Sequence, residues 1–227
     1  MIISKRLRAI SDFIPDNSFV LDIGCDHALL DIYVTTTKKN VKAIASDINE
    51  KPLKQAQENI KKYSAKKVTL SLGDGLSSYK AGVDTVVLSG LGSTTIVSIL
   101  KNDKEVLKNI NRIIVSSNND YYFLRKSICE LGFYIKEETI ISEKNKFYPI
   151  IVFEKGNEFY TEYEYKYGPI LLETMPIEFQ NYLKKEKDKL IRINKSLKAK
   201  HIKKRIRNRK EIKYIDKKLS NSIYNNR

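Results

Sequence analysis

The sequence predicts an α/β fold in which a mostly parallel sheet is followed by a helical C-terminal segment. Short apolar runs alternate with helical patterns over residues 19 to 116, which is typical of strand-helix-strand units. Two further apolar runs flank a short polar turn, as in an antiparallel hairpin. The remaining residues are basic and have leucines at seven-residue spacing, which favours helices.

The first part of the chain divides into elements as follows. A helical pattern over Leu7–Ile14 is followed by the turn Pro15–Ser18. The clearest helix is Pro52–Tyr63, where Leu53, Ala56 and Ile60 share one face. The predicted parallel strands are Phe19–Ile23, Val41–Asp47, Lys67–Leu72, Thr85–Ser89 and Arg112–Ser116.

A helix over Tyr122–Leu131, which ends before Gly132, precedes the predicted hairpin. Its strands are Phe133–Ile141 and Phe147–Phe153, joined by the turn Glu143–Lys146. Five parallel strands closed by an antiparallel terminal hairpin are the layout of the Rossmann-like class I methyltransferases. The sequence therefore predicts that fold for residues 1–160.

Residues 161–227 are predicted to form a separate α-helical, coiled-coil-like domain. Leu183, Leu190 and Leu197 recur every seven residues, and a similar spacing resumes at Ile212. Two antiparallel helices with a turn within Lys198–Arg209 fit this pattern, and so does one continuous helix.

Charge is concentrated in that second domain. The chain of 227 residues has a net charge of +15, and residues 181–227 hold 18 Lys or Arg against 4 Asp or Glu. A near-neutral body with a basic arm favours a polyanionic partner over a merely solvated helical surface. The candidate contacts are Lys184, Lys185, Arg192, Lys203, Lys204, Arg205, Arg207 and Arg209.

The cysteines and the apolar segments indicate the compartment in which the protein is expected. Cys25 and Cys129 fit no metal-ligand spacing, so we expect reduced thiols, no metal and a cytoplasmic location. No signal peptide and no apolar run of membrane-spanning length is evident.

The most informative segment is Phe19–His27, where a buried strand leads into an acidic glycine turn. Gly24 permits a tight turn close to a ligand, and Asp22 and Asp26 place carboxylates at the edge of the sheet where α/β folds bind. Asp47 ends the next strand and is placed to accept hydrogen bonds from ribose hydroxyls. Nicotinamide and adenosyl cofactors both fit these features.

The number of glycines separates the two cofactors. A dinucleotide fingerprint has three glycines that let helix amides hold a pyrophosphate, whereas this turn has only Gly24. Asp26 would repel a phosphate but attract the sulfonium and ammonium groups of S-adenosylmethionine. The turn therefore favours S-adenosylmethionine, although such a turn also occurs without a ligand.

Two later loops add candidates for the same site. Asp74, within Leu72–Leu76, is placed to accept the amino group of an adenine, although Gly-Asp-Gly is also common turn chemistry. The fourth strand ends in Ser89–Thr94, where all residues but Leu91 are small. It lacks the Asn-Pro-Pro-Tyr or Asp-Pro-Pro-Tyr typical of methylation at exocyclic amino groups.

These motifs together resemble the bacterial tRNA (adenine(22)-N(1))-methyltransferase family, which uses S-adenosylmethionine. The resemblance covers nearly the whole chain. It rests on the segments Ser4–Leu7, Phe13–Pro15, Asp22–Ala28, Ser46–Ile48, Gly73–Leu76, Gly90–Gly92, Asn118, Leu124–Arg125 and Tyr167–Pro169.

Five positions depart from the family pattern. Cys25 replaces a usual serine, and Asp31 stands where proline is common. Leu91 replaces a frequent methionine, and Ser116–Ser117 replaces a glutamine-proline pair before Asn118. The last departure weakens the expectation that this loop holds the target base.

The resemblance implies roles for individual residues. The methionine side of the cofactor is assigned to Asp22, Gly24, Asp26 and His27, the ribose to Asp47 and Ile48, and the adenine to Asp74 and Gly75. Ser89, Gly90, Leu91 and Gly92 would flank the transfer site. The candidates for contact with tRNA are Asn118, Tyr121, Tyr122 and Arg125. Of these, Arg125 is better suited to a structural role. His27 also fits the position of a residue at the start of a helix.

The predicted activity is methyl transfer to N1 of an adenine in tRNA by a monomer. N1 carries a lone pair, so no deprotonation must precede attack, and Asp26 is the candidate catalytic residue because its charge favours the developing cationic base. The alternatives are a methyltransferase of another RNA position or of a small molecule, and a noncatalytic RNA-binding protein that retains a cofactor pocket.

Overall fold

A computed structural model describes residues 1–225, apart from the side chains of residues 199 and 223–225. The chain forms two compact units, Met1–Pro169 and Ile170–Arg227. The predicted boundary at residue 160 falls before a short helix, Glu162–Tyr167, that belongs to the first unit.

A seven-stranded sheet forms the centre of the first unit. Its strands are β1 (Phe19–Ile23), β2 (Lys42–Asp47), β3 (Val68–Leu72), β4 (Thr85–Ser89), β5 (Arg112–Ser116), β6 (Phe133–Glu143) and β7 (Lys146–Lys155). Their order is β3-β2-β1-β4-β5-β7-β6, with β1 to β5 parallel and β7 antiparallel to both of its neighbours. This confirms the predicted parallel sheet with an antiparallel terminal hairpin.

The central strands are apolar on both faces. Val86, Val87 and Leu88 follow one another along β4, and all three are fully buried. Since successive strand residues point to opposite faces, both faces of the sheet are covered. The helices of this unit are α1 (Lys5–Asp12), α2 (Leu29–Thr37), α3 (Glu50–Lys62), α4 (Ser93–Asn102), α5 (Lys104–Leu107), α6 (Tyr121–Cys129) and α7 (Glu162–Tyr167).

The terminal hairpin has a tighter turn than the sequence predicted. Lys144 and Asn145 alone form the loop, with φ of +49° and +62°, while Glu143 and Lys146 are already paired in the ladder. Two positive φ angles give a turn whose twist matches that of the strands. The hairpin strands therefore extend further than the predicted ones.

The order of strands determines where a ligand can bind. The chain passes from β1 to β2 and β3 on one side, then crosses to β4 and β5 on the other. In such sheets the helices on either side diverge at the reversal and leave a crevice at the carboxyl ends of the strands. The crevice here lies between the ends of β1 and β4.

The second unit contains two long helices that run antiparallel. α8 (Pro169–Thr174) starts at the boundary and is followed by α9 (Ile177–Ser196) and α10 (Ile202–Asn225). Lys187 Nζ lies 2.6 Å from Asp216 Oδ1, and Asn208 Nδ2 donates to Asn194 Oδ1 at 2.9 Å. The helices therefore form a hairpin and not one continuous helix.

The turn of this hairpin is shorter than predicted. It spans residues 197–201, and the rest of the predicted turn, up to Arg209, is already helical. Leu197 lies beyond the end of α9, so the seven-residue spacing stops there. The Arg205 guanidinium donates to the Leu197 carbonyl at 2.5 Å, which anchors the turn. Coiled-coil packing of the two helices stays a prediction.

Arg125 is part of the core, which corrects its prediction as a tRNA contact. Its side chain is 1% exposed and pairs with the buried Glu138 carboxylate, with 2.7 Å between Nε and Oε1. One Nη atom also donates to the carbonyls of Tyr165 and Lys166 at 3.1 and 3.2 Å. A guanidinium in this position holds the end of α7 and cannot reach a polymer in solvent.

Replacing Arg125 tests this structural role. Arg125→Ala leaves the Glu138 charge buried without its main partner, which typically costs about 3–5 kcal/mol. We expect the free energy of unfolding, measured by urea denaturation at pH 7, to fall by that amount. Lys126→Ala is the matched control, since Lys126 is the exposed neighbour and should change it by less than about 0.5 kcal/mol. Equal effects of the two substitutions would contradict the role.

Candidate active site

A cleft at the carboxyl ends of β1 and β4 brings together several of the predicted site residues. One side is formed by the end of β1 and the turn that follows it, and the other by the end of β4. Its lining includes Asp22, Gly24, Asp26, His27 and Ser89. The fold thus joins segments that are more than sixty residues apart in sequence.

The turn after β1 is held in an unusual backbone conformation. The amides of Gly24 and Cys25 both donate to the Ser46 carbonyl, at 2.9 and 3.0 Å. Gly24 has a φ of +77°, and Asp26 and Ala28 have φ of +52° and +53°. Left-handed residues other than glycine are costly and cluster at functional sites. The turn is therefore shaped for the cleft at some cost in stability.

Asp26 and His27 face solvent side by side. His27 Nε2 lies 3.5 Å from Asp26 Oδ1, and both side chains are exposed. The His27 carbonyl accepts a hydrogen bond from Asn59 Nδ2 at 3.0 Å, which ties the turn to α3. The imidazole thus lies beside a carboxylate that is accessible from the cleft.

Two buried carboxyl groups lie behind this exposed pair. Asp22 is 5% exposed and Asp31, in the first turn of α2, is 1% exposed. Burial raises the pKa of Asp22 to about 7; a hydrogen bond with Asp31 opposes this, and the Asp47 charge adds to it. Burial, followed by the Asp22 charge, raises the pKa of Asp31 well above its usual range. The cleft therefore has an acidic floor.

Cys25 packs among these acids. Its side chain is buried, and burial followed by the charges of Asp31, Asp22 and Asp47 raises the pKa of its thiol. The thiol is therefore neutral, in the free form predicted for both cysteines. It contributes packing volume without adding charge to the acidic floor.

Asp47 and two apolar side chains mark the next part of the edge. Asp47 is the last residue of β2, and Asp22 is the last but one of β1. Asp47 Oδ1 accepts the Asn49 backbone amide at 2.9 Å. Ile48 and Leu72 are 62% and 57% exposed. Exposed aliphatic side chains next to a carboxylate suit the ribose and the flat base of an adenosyl group.

The loop around Asp74 is built by a network of serine hydroxyls. Ser78 Oγ lies 2.7 Å from Ser46 Oγ and 2.9 Å from Ser71 Oγ, which joins β2 and β3 to the short helical turn Gly75–Ser78. Gly75 has a φ of +57°. Asp74 precedes that turn with an exposed side chain, as its predicted adenine contact requires.

The loops after β4 and β5 are linked by hydrogen bonds. Asn118 donates from Nδ2 to the Gly90 carbonyl at 2.5 Å and from its backbone amide to the Leu91 carbonyl at 3.1 Å. Asn119 Oδ1 accepts the Ser93 amide at 2.9 Å, at the start of α4. The predicted transfer edge, Ser89 to Gly92, is thus held by the loop that contains Asn118.

Arg6 is a residue of the cleft that sequence reasoning did not assign. It lines the cleft together with Asp22 and Ser89, and its guanidinium carbon lies 5.3 Å from the centre of the Tyr148 ring. Its segment, Ser4–Leu7, is part of the family resemblance, which implies no role for it. No spacing rule could place it, because Arg6 reaches the cleft through the packing of α1.

The predicted stacking residues Tyr121 and Tyr122 are half-buried and packed. The Tyr121 hydroxyl donates to the Ser117 carbonyl at 3.0 Å, and burial raises its pKa to about 12. The Tyr122 ring meets Tyr165 edge to face, with 6.0 Å between ring centres. Tyr121 thus supports the loop that precedes it, and base stacking stays a prediction for both.

The basic candidates of the second unit lie on α9 and α10. Arg205 is half-buried at the turn, as described above, while the others present exposed side chains. The exposed ones are Lys184, Lys185, Arg192, Lys203, Lys204, Arg207 and Arg209.

Residues 3–151 match the family model of a methyltransferase domain. The match includes β1 to β6 and the acidic turn. The chain belongs to this methyltransferase family. Class I architecture, predicted from the alternation of strands and helices, is thereby confirmed.

Comparison with individual proteins is more specific than the family model. The methyltransferase is 31% identical over 157 residues to the tRNA (adenine(22)-N(1))-methyltransferase of Bacillus subtilis. This alignment covers 68% of the chain and 66% of the relative, so just under two thirds of that protein is matched. The family resemblance inferred from the motifs is confirmed.

Solved structures match over nearly the full length. A Streptococcus pneumoniae protein for which tRNA (m1A22) methyltransferase activity is proposed has a TM-score of 0.90 and 30% identity, over 96% of this chain and all of that one. It was also solved in complex with S-adenosyl-L-methionine. TrmK of M. capricolum, in complex with S-adenosyl-homocysteine, has a TM-score of 0.81 and 31% identity over 95% of this chain and 99% of that one.

The departures from the family pattern lie close to the cleft of this methyltransferase. Cys25 and Asp31 belong to its buried acidic floor. Leu91 contacts the glycine turn: a Cβ atom on Gly24 would lie 3.5 Å from the Leu91 side chain. Ser117 Oγ donates to the Leu91 carbonyl at 3.3 Å, so the serine pair still supports the transfer edge.

Proposed function

We propose that this methyltransferase binds S-adenosylmethionine in the cleft and transfers its methyl group to N1 of an adenine in tRNA, at position 22. The observation that carries the proposal is the position of Asp22 and Asp26 in the cleft where the strand order reverses, with Asp47 at the end of the neighbouring strand β2. The proposed substrate is inferred from the relatives named above.

The residues of the cleft fit this cofactor. The acidic floor suits a ligand with an ammonium and a sulfonium group, and a phosphate would be repelled there. Gly24 has a φ of +77°, which glycine adopts without strain and which lets the backbone turn close to a ligand. We assign Asp22, Gly24, Asp26 and His27 to the methionine end, Asp47 and Ile48 to the ribose, and Asp74 and Gly75 to the adenine.

Catalysis of this methyl transfer depends mainly on the positioning of the two reacting groups. The bound cofactor supplies an electrophilic methyl group, and the adenine N1 supplies a lone pair. Holding reacting groups in line accounts for about 7–11 kcal/mol of barrier in well-oriented systems. Ser89, Gly90, Leu91 and Gly92 flank this position, with Asn118 fastened beside them.

Asp26 is the proposed catalytic residue. Methylation at N1 converts a neutral base into a cation, so a nearby fixed carboxylate stabilises the transition state more than the ground state. Asp26 is exposed to the cleft and held in a left-handed conformation by the turn. His27 lies beside it and is placed to orient its carboxylate.

The substrate must present N1, which lies on the pairing edge of adenine. Exposing a stacked or paired base costs a few kcal/mol, and stacking on aromatic side chains offsets part of this. We assign that role to Tyr121 and Tyr122. The exposed basic residues of α9 and α10 supply sequence-independent contacts with the phosphate backbone.

We further infer that the protein acts in the cytoplasm as a monomer without a metal. None of the helices within the described residues is long and apolar enough to cross a membrane. Light scattering of the purified chain tests the monomer.

Identification of the product tests the activity. Unmodified tRNA incubated with the protein and S-adenosylmethionine should acquire one N1-methyladenosine, at position 22, as detected by nucleoside mass spectrometry and a reverse-transcription stop. The same tRNA with guanosine at position 22 is the control and should stay unmodified. Methylation of another position or of a small molecule would replace the proposal, and cofactor binding without turnover would indicate a noncatalytic RNA-binding protein.

Asp26→Asn tests the catalytic charge without disturbing the turn. Asparagine tolerates the left-handed conformation about as well as aspartate does, so the change removes charge alone, whereas Asp26→Ala also adds strain. Because Asp26 is also assigned to the methionine end, cofactor affinity should fall as well. At saturating cofactor we expect kcat to fall by about 100-fold or more, since preorganised electrostatic groups have effects of this size. Unchanged kcat with weaker cofactor binding would make Asp26 a cofactor ligand only.

Neutralising the arm tests its contact with RNA. Replacing Lys203, Lys204, Arg207 and Arg209 by Gln should weaken tRNA binding and lower the slope of log affinity against log salt by about 0.7–0.9 for each lost phosphate contact. Cofactor affinity should not change. The control replaces Lys39, Lys42, Lys66 and Lys67, exposed residues near the amino ends of β2 and β3. An equal loss in the control would show a net-charge effect and contradict the arm's role.

A further inference from the structure

Asp31 is a buried acid for which the proposed mechanism has no use. It lies in the first turn of α2, is 1% exposed, and stands where the resembling family commonly has proline. Neither of its carboxylate oxygens accepts a hydrogen bond of ordinary geometry from an N–H or hydroxyl group of the described chain. A buried carboxylate in such a state costs several kcal/mol, so it requires an explanation.

The neighbour of Asp31 is the cofactor-site residue Asp22. Asp22 lies near the end of β1 and Asp31 in the first turn of α2, and each alters the pKa of the other through their hydrogen bond. Asp22 also lines the cleft. Two buried carboxylates side by side cannot both be ionised, so one of them holds a proton. A carboxylic acid donates a hydrogen bond that a carboxylate cannot.

We propose that Asp31 holds this proton and donates it in a hydrogen bond to Asp22, and so acts as a positioning residue that keeps the Asp22 carboxylate ionised and oriented toward the ammonium group of the cofactor. This inference rests on the proposed cofactor. It concerns a residue that belongs to this chain and departs from the family pattern.

The position of the proton follows from the two environments. Burial raises the pKa of both groups, but their hydrogen bond lowers the pKa of Asp22 and raises that of Asp31. A contact with its own backbone amide lowers the pKa of Asp31, but Asp31 is the more deeply buried group and neither of its oxygens has a partner of ordinary geometry within the described chain, whereas Asp22 lines the cleft. Asp31 is therefore the donor, and Asp22 becomes ionised as the pH rises through about 7.

Other charged groups face the pair from each neighbouring element. Asp47 at the end of β2 raises the pKa of both Asp22 and the Cys25 thiol. The cleft adds Arg6 from α1 and the turn residues Asp26 and His27. Since Asp26 is solvated, its charge acts on the pair more weakly than that of Asp47. The carboxyl pair thus controls the charge at this end of the cleft.

The arrangement predicts how cofactor affinity depends on pH. The ammonium group binds the ionised form of Asp22, so affinity falls as the pH drops through about 7. Without the hydrogen bond from Asp31, the pKa of Asp22 is higher still, and the same loss occurs at higher pH. Removing the donor therefore weakens binding at neutral pH and has little effect where Asp22 is ionised in both proteins.

Two substitutions at Asp31 test whether it acts as a neutral hydrogen-bond donor. Asp31→Asn retains a neutral donor, and Asp31→Leu removes it while keeping the same branching at Cγ. The dissociation constant for S-adenosylmethionine is measured by calorimetry from pH 6 to pH 9. We expect Asp31→Asn to stay within about twofold of the unsubstituted protein. We expect Asp31→Leu to bind about fivefold more weakly at pH 7 and about tenfold more weakly at pH 6, for a rise of about one unit in the pKa of Asp22. The difference should disappear above about pH 8.5.

Thr35→Val provides the matched control. Thr35 is buried on the same helix, one turn from Asp31, and its hydroxyl donates to the Asp31 carbonyl at 2.7 Å. The substitution Thr35→Val changes a buried polar side chain to an apolar one and leaves the carboxyl pair intact. The pH dependence of its cofactor affinity should therefore match that of the unsubstituted protein. A profile like that of Asp31→Leu would assign the effect to helix packing and overturn the proposal.

A measurement without cofactor detects the proton itself. At pH 8 the infrared spectrum of the unsubstituted protein should contain the carbonyl band of a buried protonated carboxyl group, and Asp31→Asn should lose it. Absence of this band, or binding by Asp31→Asn as weak as that by Asp31→Leu, would overturn the proposal. If the band is present but the protein does not bind S-adenosylmethionine at any pH, the cofactor assignment fails and the role of Asp31 as proton holder does not.

Discussion

Hydrogen bonding of β1 to β2 on one side and to β4 on the other is the constraint on which the rest of the structure depends. Because both pairings are parallel, the carboxyl ends of three strands meet at one edge. The turn after β1 then donates two amides to Ser46 of β2. The acidic cleft is therefore a product of strand order, and each acid owes its position to a different strand end or helix start.

The same edge concentrates local strain and unfavourable burial. Asp26 and Ala28 have left-handed backbone conformations, and Asp22 and Asp31 are buried acids. Ser89 Oγ has no hydrogen-bond partner within the described chain. Such features persist only where the surrounding structure is well packed. Here the fully buried central strands provide that support, so the stability of the sheet compensates for the strain and the buried charge at the cleft.

Much of this could be predicted from sequence, because the signals involved are local. The apolar runs indicated the strands, and the single glycine with its acids indicated a cationic adenosyl ligand. Residues whose roles arise from packing could not be found in this way. Arg6 reaches the cleft from a helix that precedes the sheet, Arg125 proved to be a core residue, and Asp31 appeared only as a departure from a family pattern. The hairpin of α9 and α10 also lacked a glycine or proline to mark its turn.

The environment of Cys25 has a consequence for the chemical durability of the protein. Thiols are oxidised and alkylated through their thiolate form, and the surrounding acids and burial oppose that form. A serine-to-cysteine replacement at the edge of the cleft therefore introduces little redox sensitivity. The negative field that suits a cationic ligand also protects the sulfur from peroxide and electrophiles, so thiol-directed inhibitors would find this cleft unreactive.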